Sequence, residues 1–233
     1  MRATEFLTEG RNHPIIVVDV QPEYAQYARQ KCAEIVRFVS QQTGPVLMFV
    51  NADETGMSID NVEYDIVPYW EEAAGIDHDR LEDDPKYNGP IDWNRFTIID
   101  KGYGYLRSWM DHGIPESIIV KTIRLMYQQK VNDTRDLEFP DNIQQRTPEM
   151  SEIMGAIEEM NDDPMTVGWT SVAQLKRFNG AYIVGGGRNE CLREVELLMN
   201  AFNIKYKRID SLDRKSTRLN SSHIPLSRMP SSA

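Results

Sequence analysis

The sequence predicts a three-layer α/β domain, with helices covering both faces of a mostly parallel sheet. Three observations predict it. Ile15 to Val20 and Val46 to Val50 are short, nearly uninterrupted apolar runs rich in β-branched residues, the pattern of strands buried on both faces. Between such runs lie segments with apolar residues at helical spacing. Near the end, Ala181 to Ile209 reads as strand, glycine turn, helix, strand.

The elements follow in order. Ile15-Ile16-Val17-Val18-Asp19-Val20 is the first strand. Pro22 and Glu23 open a helix to about Gln42, with Tyr24, Tyr27, Ala28, Ile35, Val36 and Val39 as its apolar positions. Thr43-Gly44-Pro45 breaks it, and Val46 to Val50 is the second strand. A helix is expected near Val62 to Ala74, then a polar surface loop from Gly75 to Pro90. Phe96 to Ile99 is the third strand. Tyr105 to His112 reads as helical, and Pro115-Glu116 starts an amphipathic helix through Ile118, Ile119, Ile123 and Met126. Asp133 to Pro148 is a polar loop, and Pro148-Glu149 begins another helix. Ser171 to Phe178 is a short helix stopped by Asn179-Gly180. Ala181 to Val184 is a strand, Gly185-Gly186-Gly187 a turn, Glu190 to Phe202 a helix and Ile204 to Ile209 the last strand.

The domain is expected to span residues 14–212, after an N-terminal extension of residues 1–13. Asp213 to His223 matches, codon by codon, the translation of a common sequencing-library adapter, and Arg228 to Ala233 matches its continuation. Residues 213–233 are therefore expected to be non-native and to pack against nothing, and a native C-terminal piece is expected to be missing. That segment holds four Lys/Arg and one acid, so without it the net charge moves from −10 to −13. An acidic chain with no basic run repels phosphate backbones, which argues against nucleic acid as a partner. No run approaches the ~18 apolar residues needed to cross a bilayer, and residues 1–10 lack the apolar stretch of a signal peptide. Cys32 and Cys191 lie far apart with no framework spacing, which fits a reducing cytoplasm. A small-molecule substrate is the expected partner, no cofactor is expected, and homo-oligomerisation is left open.

Ligands bind beyond the carboxyl ends of strands in open parallel sheets, so the reactive groups there are the candidates. The first strand ends in Asp19, the second runs into Asn51 and Asp53, the third leads to Asp100-Lys101, and the fourth passes through glycines to Cys191. Asp19, Lys101 and Cys191 are the candidate catalytic trio. With Asn189 as N-cap, Cys191 falls in the first turn of a helix, where free N–H groups and the dipole favour a thiolate and hold an oxyanion. A depressed thiol pKa is therefore expected. The alternative is a core cysteine on the stripe Cys191, Val195, Leu198, Phe202. Asp19 inside an apolar run needs a partner or becomes a base, and Lys101 is the candidate partner. The alternative for Asp19 is a structural salt bridge or cap.

Val17-Val18-Asp19-Val20-Gln21, Lys101-Gly102-Tyr103-Gly104-Tyr105 and the run Tyr182-Ile183-Val184-Gly185 through Cys191-Leu192 together resemble the isochorismatase-like superfamily of cysteine hydrolases, which includes nicotinamidases. The resemblance runs loosely from Pro14 to Asp210. It implies an Asp, Lys, Cys trio in that chain order and hydrolysis of a small amide-like substrate through a Cys thioester. It also implies an oxyanion site shaped by the turn at Gly187 and Arg188. The chain departs from the family in three places: the stretch between Lys101 and Cys191 is longer, Arg188 replaces the family's Thr, and Asn51-Ala52-Asp53-Glu54 lacks the His pair of the metal-binding branch. Metal-independent chemistry is the expectation.

Two other readings compete. Gly185-x-Gly187 with Asp210 imitates a dinucleotide-binding unit, but Glu190 fills the third glycine position and would repel a pyrophosphate. A non-catalytic protein on the same fold is the stronger rival. Met1 to Leu7 resembles the start of many marine phage proteins, which would favour a phage accessory or structural role, in the host cytoplasm or the virion.

Overall fold

A computed structural model of the chain describes residues 12–22, 25–51, 59–75, 91–187 and 190–214. Five strands, β1 (Ile15–Val18), β2 (Val46–Val50), β3 (Phe96–Asp100), β6 (Ala181–Gly187) and β7 (Tyr206–Arg214), form one sheet in the order β3-β2-β1-β6-β7. Every pairing in it is parallel. The first half of the chain builds outward from β1 through β2 to β3, and the second returns to place β6 on the other side of β1. Chain direction across the sheet thus reverses between β1 and β6, where parallel sheets open a crevice at their carboxyl edge.

Period-two alternation explains why β1 reads as unbroken apolar sequence. Ile15 and Val17 face one layer, Ile16 and Val18 the other, and all four are fully buried. The first layer is filled by Cys32, Ile35, Val36 and Val39 of α1 (Ala25–Ser40) and by Ile66 and Trp70 of α2 (Ile59–Ala73). The second holds α3 (Leu106–Asp111), α4 (Glu116–Gln129), α5 (Pro148–Glu159), α6 (Trp169–Arg177) and α7 (Cys191–Ala201), with Trp109, Ile119, Ile123, Ile153, Leu175, Val195 and Leu198 buried against the sheet. The three-layer α/β architecture is the one expected from sequence. Among the described residues no helix is long and apolar enough to cross a membrane.

Several elements differ from expectation. The glycines of Gly185-Gly186-Gly187 remain in β6 rather than forming a turn, and the ladder with β7 shifts register between Ile183, Gly185 and Gly187. Gly185 has a φ of +94°, and a Cβ there would lie 2.4 Å from the carbonyl oxygen of Val18, so only glycine admits β1 this closely. β7 runs beyond Ile209 to Arg214, pairing Asp213 with Gly185 and Arg214 with Gly187. It thus takes two residues from the segment expected to lie outside the domain, and residues 215–233 lie outside the described ones. The Asp133–Pro148 stretch carries two 3-10 turns, Thr134–Asp136 and Ile143–Gln145, in which Arg135 N–H and Gln144 N–H donate to the side chains of Asp133 and Asn142. Two two-residue strands, β4 (Tyr103–Gly104) and β5 (Thr166–Val167), form a separate antiparallel pair that no sequence pattern announced.

Candidate functional site

The sheet's carboxyl edge collects the three candidate side chains from β1, β3 and the start of α7. Asp19 continues the ladder by one bond, its N–H donating to the Phe49 carbonyl at 2.9 Å, and then leaves it with a φ of +51°. Aspartate is among the few residues that enter this left-handed region without a large steric cost. Two residues on, the buried amide of Gln21 replaces the ladder: Asn51 N–H donates to its Oε1 at 2.9 Å, and its Nε2 donates to the Asn51 carbonyl at 3.3 Å. The Asp-x-Gln spacing therefore ties the end of β1 to β2 while Asp19 turns out of the sheet.

Lys101 extends β3 by one step, its N–H donating to the Val50 carbonyl at 2.9 Å. Gly102 then reverses the chain at a φ of +59°, and Gly168 N–H donates to the Gly102 carbonyl at 2.5 Å. A Cβ on Gly168 would stand 2.7 Å from that carbonyl, so the contact requires glycine. Ser171 Oγ, at the head of α6, donates to the Asp100 carbonyl at 3.2 Å. The β4–β5 pair and this clamp fix the base of the lysine. Two strand spacings, about 9.6 Å, separate β3 from β1, and the lysine stem and the Asp19 side chain together bridge the width of β2. Lys101 Nζ reaches Asp19 Oδ2 at 2.5 Å, with the carboxylate fully buried and the lysine side chain 10% exposed.

Charge holds this carboxylate in place. Lys101 pairs with the Asp19 carboxylate as an ion pair, and the Cys191 thiol also touches it. Burial alone would lower the lysine pKa, but Asp19, with Cys191 and Glu194 adding to it, raises it above its ordinary value. Lys101 is thus an ammonium throughout the working pH range.

Cys191 opens α7 and is partly buried. The N-cap position belongs to Glu190, whose side chain makes no capping bond, and not to Asn189, which lies outside the described residues. The thiol itself departs from expectation. Burial pushes it up, the negative charge of Asp19 and its contact with the thiol push further, and Lys101 only partly opposes them, so the pKa rises from 9.0 to about 12. Burial and Asp19 together outweigh Lys101, and Cys191 rests as a neutral thiol beside an ion pair.

Of the expected turn residues, Gly187 lies at the end of β6 and accepts a hydrogen bond from Glu190 N–H at 3.0 Å. A Cβ on Gly187 would lie 2.5 Å from Glu190 Oε2, so a carboxylate packs directly against this turn. Arg188 lies outside the described residues.

Two site residues were not anticipated. Glu194, one turn after Cys191 on α7, is buried and accepts from Arg107 N–H at 3.1 Å. Burial raises its pKa, opposed by the Lys101 charge and the Arg107 N–H. Tyr103 follows Lys101 on β4, its ring edge-on to Phe49 at 6.1 Å. Its buried hydroxyl has no hydrogen-bond partner among the described residues. Their spacing from the trio, three residues after Cys191 and two after Lys101, was the one available signal. No group of three or more metal-ligating side chains occurs among the described residues.

Comparison with known proteins finds no match: no family model, curated protein or solved structure matches the chain.

Proposed function

We propose that the chain is a divergent cysteine hydrolase acting on a small amide-like substrate through a thioester on Cys191. One observation carries the reading: a fully buried carboxylate paired with a buried ammonium at 2.5 Å, in charge contact with a thiol at a helix start. A neutral thiol needs a base at the moment of attack, and Asp19 is the adjacent one. Asp19 takes the thiol proton as Sγ bonds to the carbonyl carbon and the π electrons move to oxygen. The intermediate collapses, the amine leaves with the proton returned by Asp19, and a thioester remains. Water then gives a proton to Asp19 and attacks the thioester, and the expelled sulfur recovers that proton. Lys101 balances the charge that moves between carboxylate and sulfur. First-turn N–H groups of α7 have no intrahelical acceptors and are suited to the oxyanion.

Intact-mass analysis after brief exposure to p-nitrophenyl acetate tests this. One acetyl group should appear on Cys191, none on Cys191→Ala, and the adduct should disappear with time. If the thiol gains no acyl group and a panel of small neutral amides is not hydrolysed, the reading fails. The non-catalytic reading then stands, and the carboxylate of Glu190 packed on Gly187, where an oxyanion would need N–H donors, is the observation that favours it.

A further inference from the structure

Tyr103 is placed by the same clamp that places Lys101. β4 holds only Tyr103 and Gly104, registered against Val167 and Thr166, and its chain enters from the left-handed turn at Gly102. The phenol ring rests on Phe49, the β2 residue whose carbonyl receives Asp19 N–H. Its hydroxyl is buried without a partner, within charge range of Glu194, Asp19, Cys191 and Asp100. Burial first, and then those four groups, hold its pKa well above the ordinary value, so the hydroxyl keeps its proton and remains a donor. A buried hydroxyl that donates to nothing weakens the folded state, and such groups in native structures call for a reason. Here three carboxylates stand within charge range and none accepts the bond.

We propose that Tyr103 is a substrate-positioning residue whose hydroxyl donates to the carbonyl oxygen of a neutral substrate at Cys191, and that the site disfavours substrates carrying a carboxylate next to the reacting carbon. The proposal deepens the hydrolase reading and rests on it. The hydroxyl adds a donor to the reacting carbonyl beside the first-turn N–H groups of α7. The charge balance supplies the selectivity: Asp19, Glu194 and Asp100 lie within charge range of the hydroxyl, and Lys101 is already paired with Asp19. An anionic substrate would meet an excess of negative charge, a neutral amide would not.

The test compares Tyr103→Phe, which keeps the ring on Phe49, with the wild-type chain. Three thiol reagents are followed at Cys191 by mass spectrometry at pH 9: iodoacetamide, which carries a neutral amide, iodoacetate, which carries a carboxylate, and dithiodipyridine, which has no carbonyl. In the wild-type chain iodoacetamide should outpace iodoacetate by more than it does on a free thiol. In Tyr103→Phe its rate should fall roughly five-fold, the worth of one hydrogen bond, while the dithiodipyridine rate holds. Thermal unfolding should show the variant at least as stable as wild type, because an unpartnered hydroxyl has been removed. A merely structural tyrosine would lower the melting point and leave the reagent ratio alone, and either result overturns the proposal. The hydrolase reading survives that outcome, since it stands or falls on acyl transfer to Cys191.

Discussion

The two halves of the site are prepared differently. The β-strand half, Asp19 with Lys101, arrives assembled: both residues extend ladder bonds, a glycine clamp fixes the lysine, and the ions touch at 2.5 Å. The helical half, Cys191 with Glu194 and Glu190, carries an uncapped N-terminus, a protonated thiol near pKa 12 and two neighbouring acids. On the proposed hydrolase reading the base would be built into the sheet, while the nucleophile would gain its charge only when the base takes a proton. Such a division would avoid a standing thiolate and place the cost of activation in the attack itself.

The largest effect that tests this division is on stability. Lys101→Met leaves a fully buried carboxylate without its counter-ion and should cost about 3–5 kcal/mol. Cys191→Ala removes one partly buried sulfur and should cost about 1 kcal/mol. Urea unfolding of the two variants separates them, and equal losses would mean that the ion pair is no better built than the thiol's surroundings.

A second prediction reverses an intuition about reactivity. Asp19→Asn fits the left-handed backbone of position 19, because asparagine also tolerates positive φ. It removes the carboxylate that helps hold the thiol up and leaves Lys101 to pull it down. Alkylation of Cys191 by iodoacetamide at pH 8 should then accelerate, by about tenfold for each unit the thiol falls. Turnover of any substrate should vanish, because the base is gone. Slower alkylation in Asp19→Asn would show that Asp19 activates the resting thiol and would erase the contrast between the halves.

The strand half was also the more legible in sequence. Ile15 to Val18 and Val46 to Val50 announce strands because burial on both faces leaves no polar positions to blur the pattern, and Phe96 to Ile99, at the sheet edge, keeps enough apolar residues around Thr97 to read the same way. Asp19 stands out for the same reason, being the lone charge in such a run. The Gly185–Gly187 stretch was ambiguous because glycine serves turns and close strand approaches equally well, and only the proximity of Val18 decides between them. β7 was cut short because Asp210 to Arg214 holds a single apolar residue, Leu212, among polar and charged ones, as an edge strand can without loss. β4 and β5 are too short to carry a period. The direction of the Cys191 shift was missed because a helix start is visible in sequence and desolvation is not. Glu194 and Tyr103 depend on neighbours brought in from α3 and β2, which no local pattern contains.

The smallest effect concerns Glu194, and its sign follows from which form burial favours. Its pKa in the fold is raised above the ordinary 4.5, so the folded chain holds the proton more tightly than the unfolded chain does. The stability tied to that proton is complete below about pH 4.5 and is lost as pH rises through the folded value, where a buried carboxylate must ionise. Glu194→Gln keeps an Oε1 to accept from Arg107 N–H and stays neutral at every pH. The variant should match wild type at pH 4 and be slightly more stable at pH 8, the gap opening between them. Thermal unfolding at the two pH values reads this directly. The opposite slope, with the variant weaker at pH 8, would mean that ionised Glu194 shares Lys101 with Asp19 as a structural partner. Lys101 would then serve both halves, and the helical half would be as firmly assembled as the strand half.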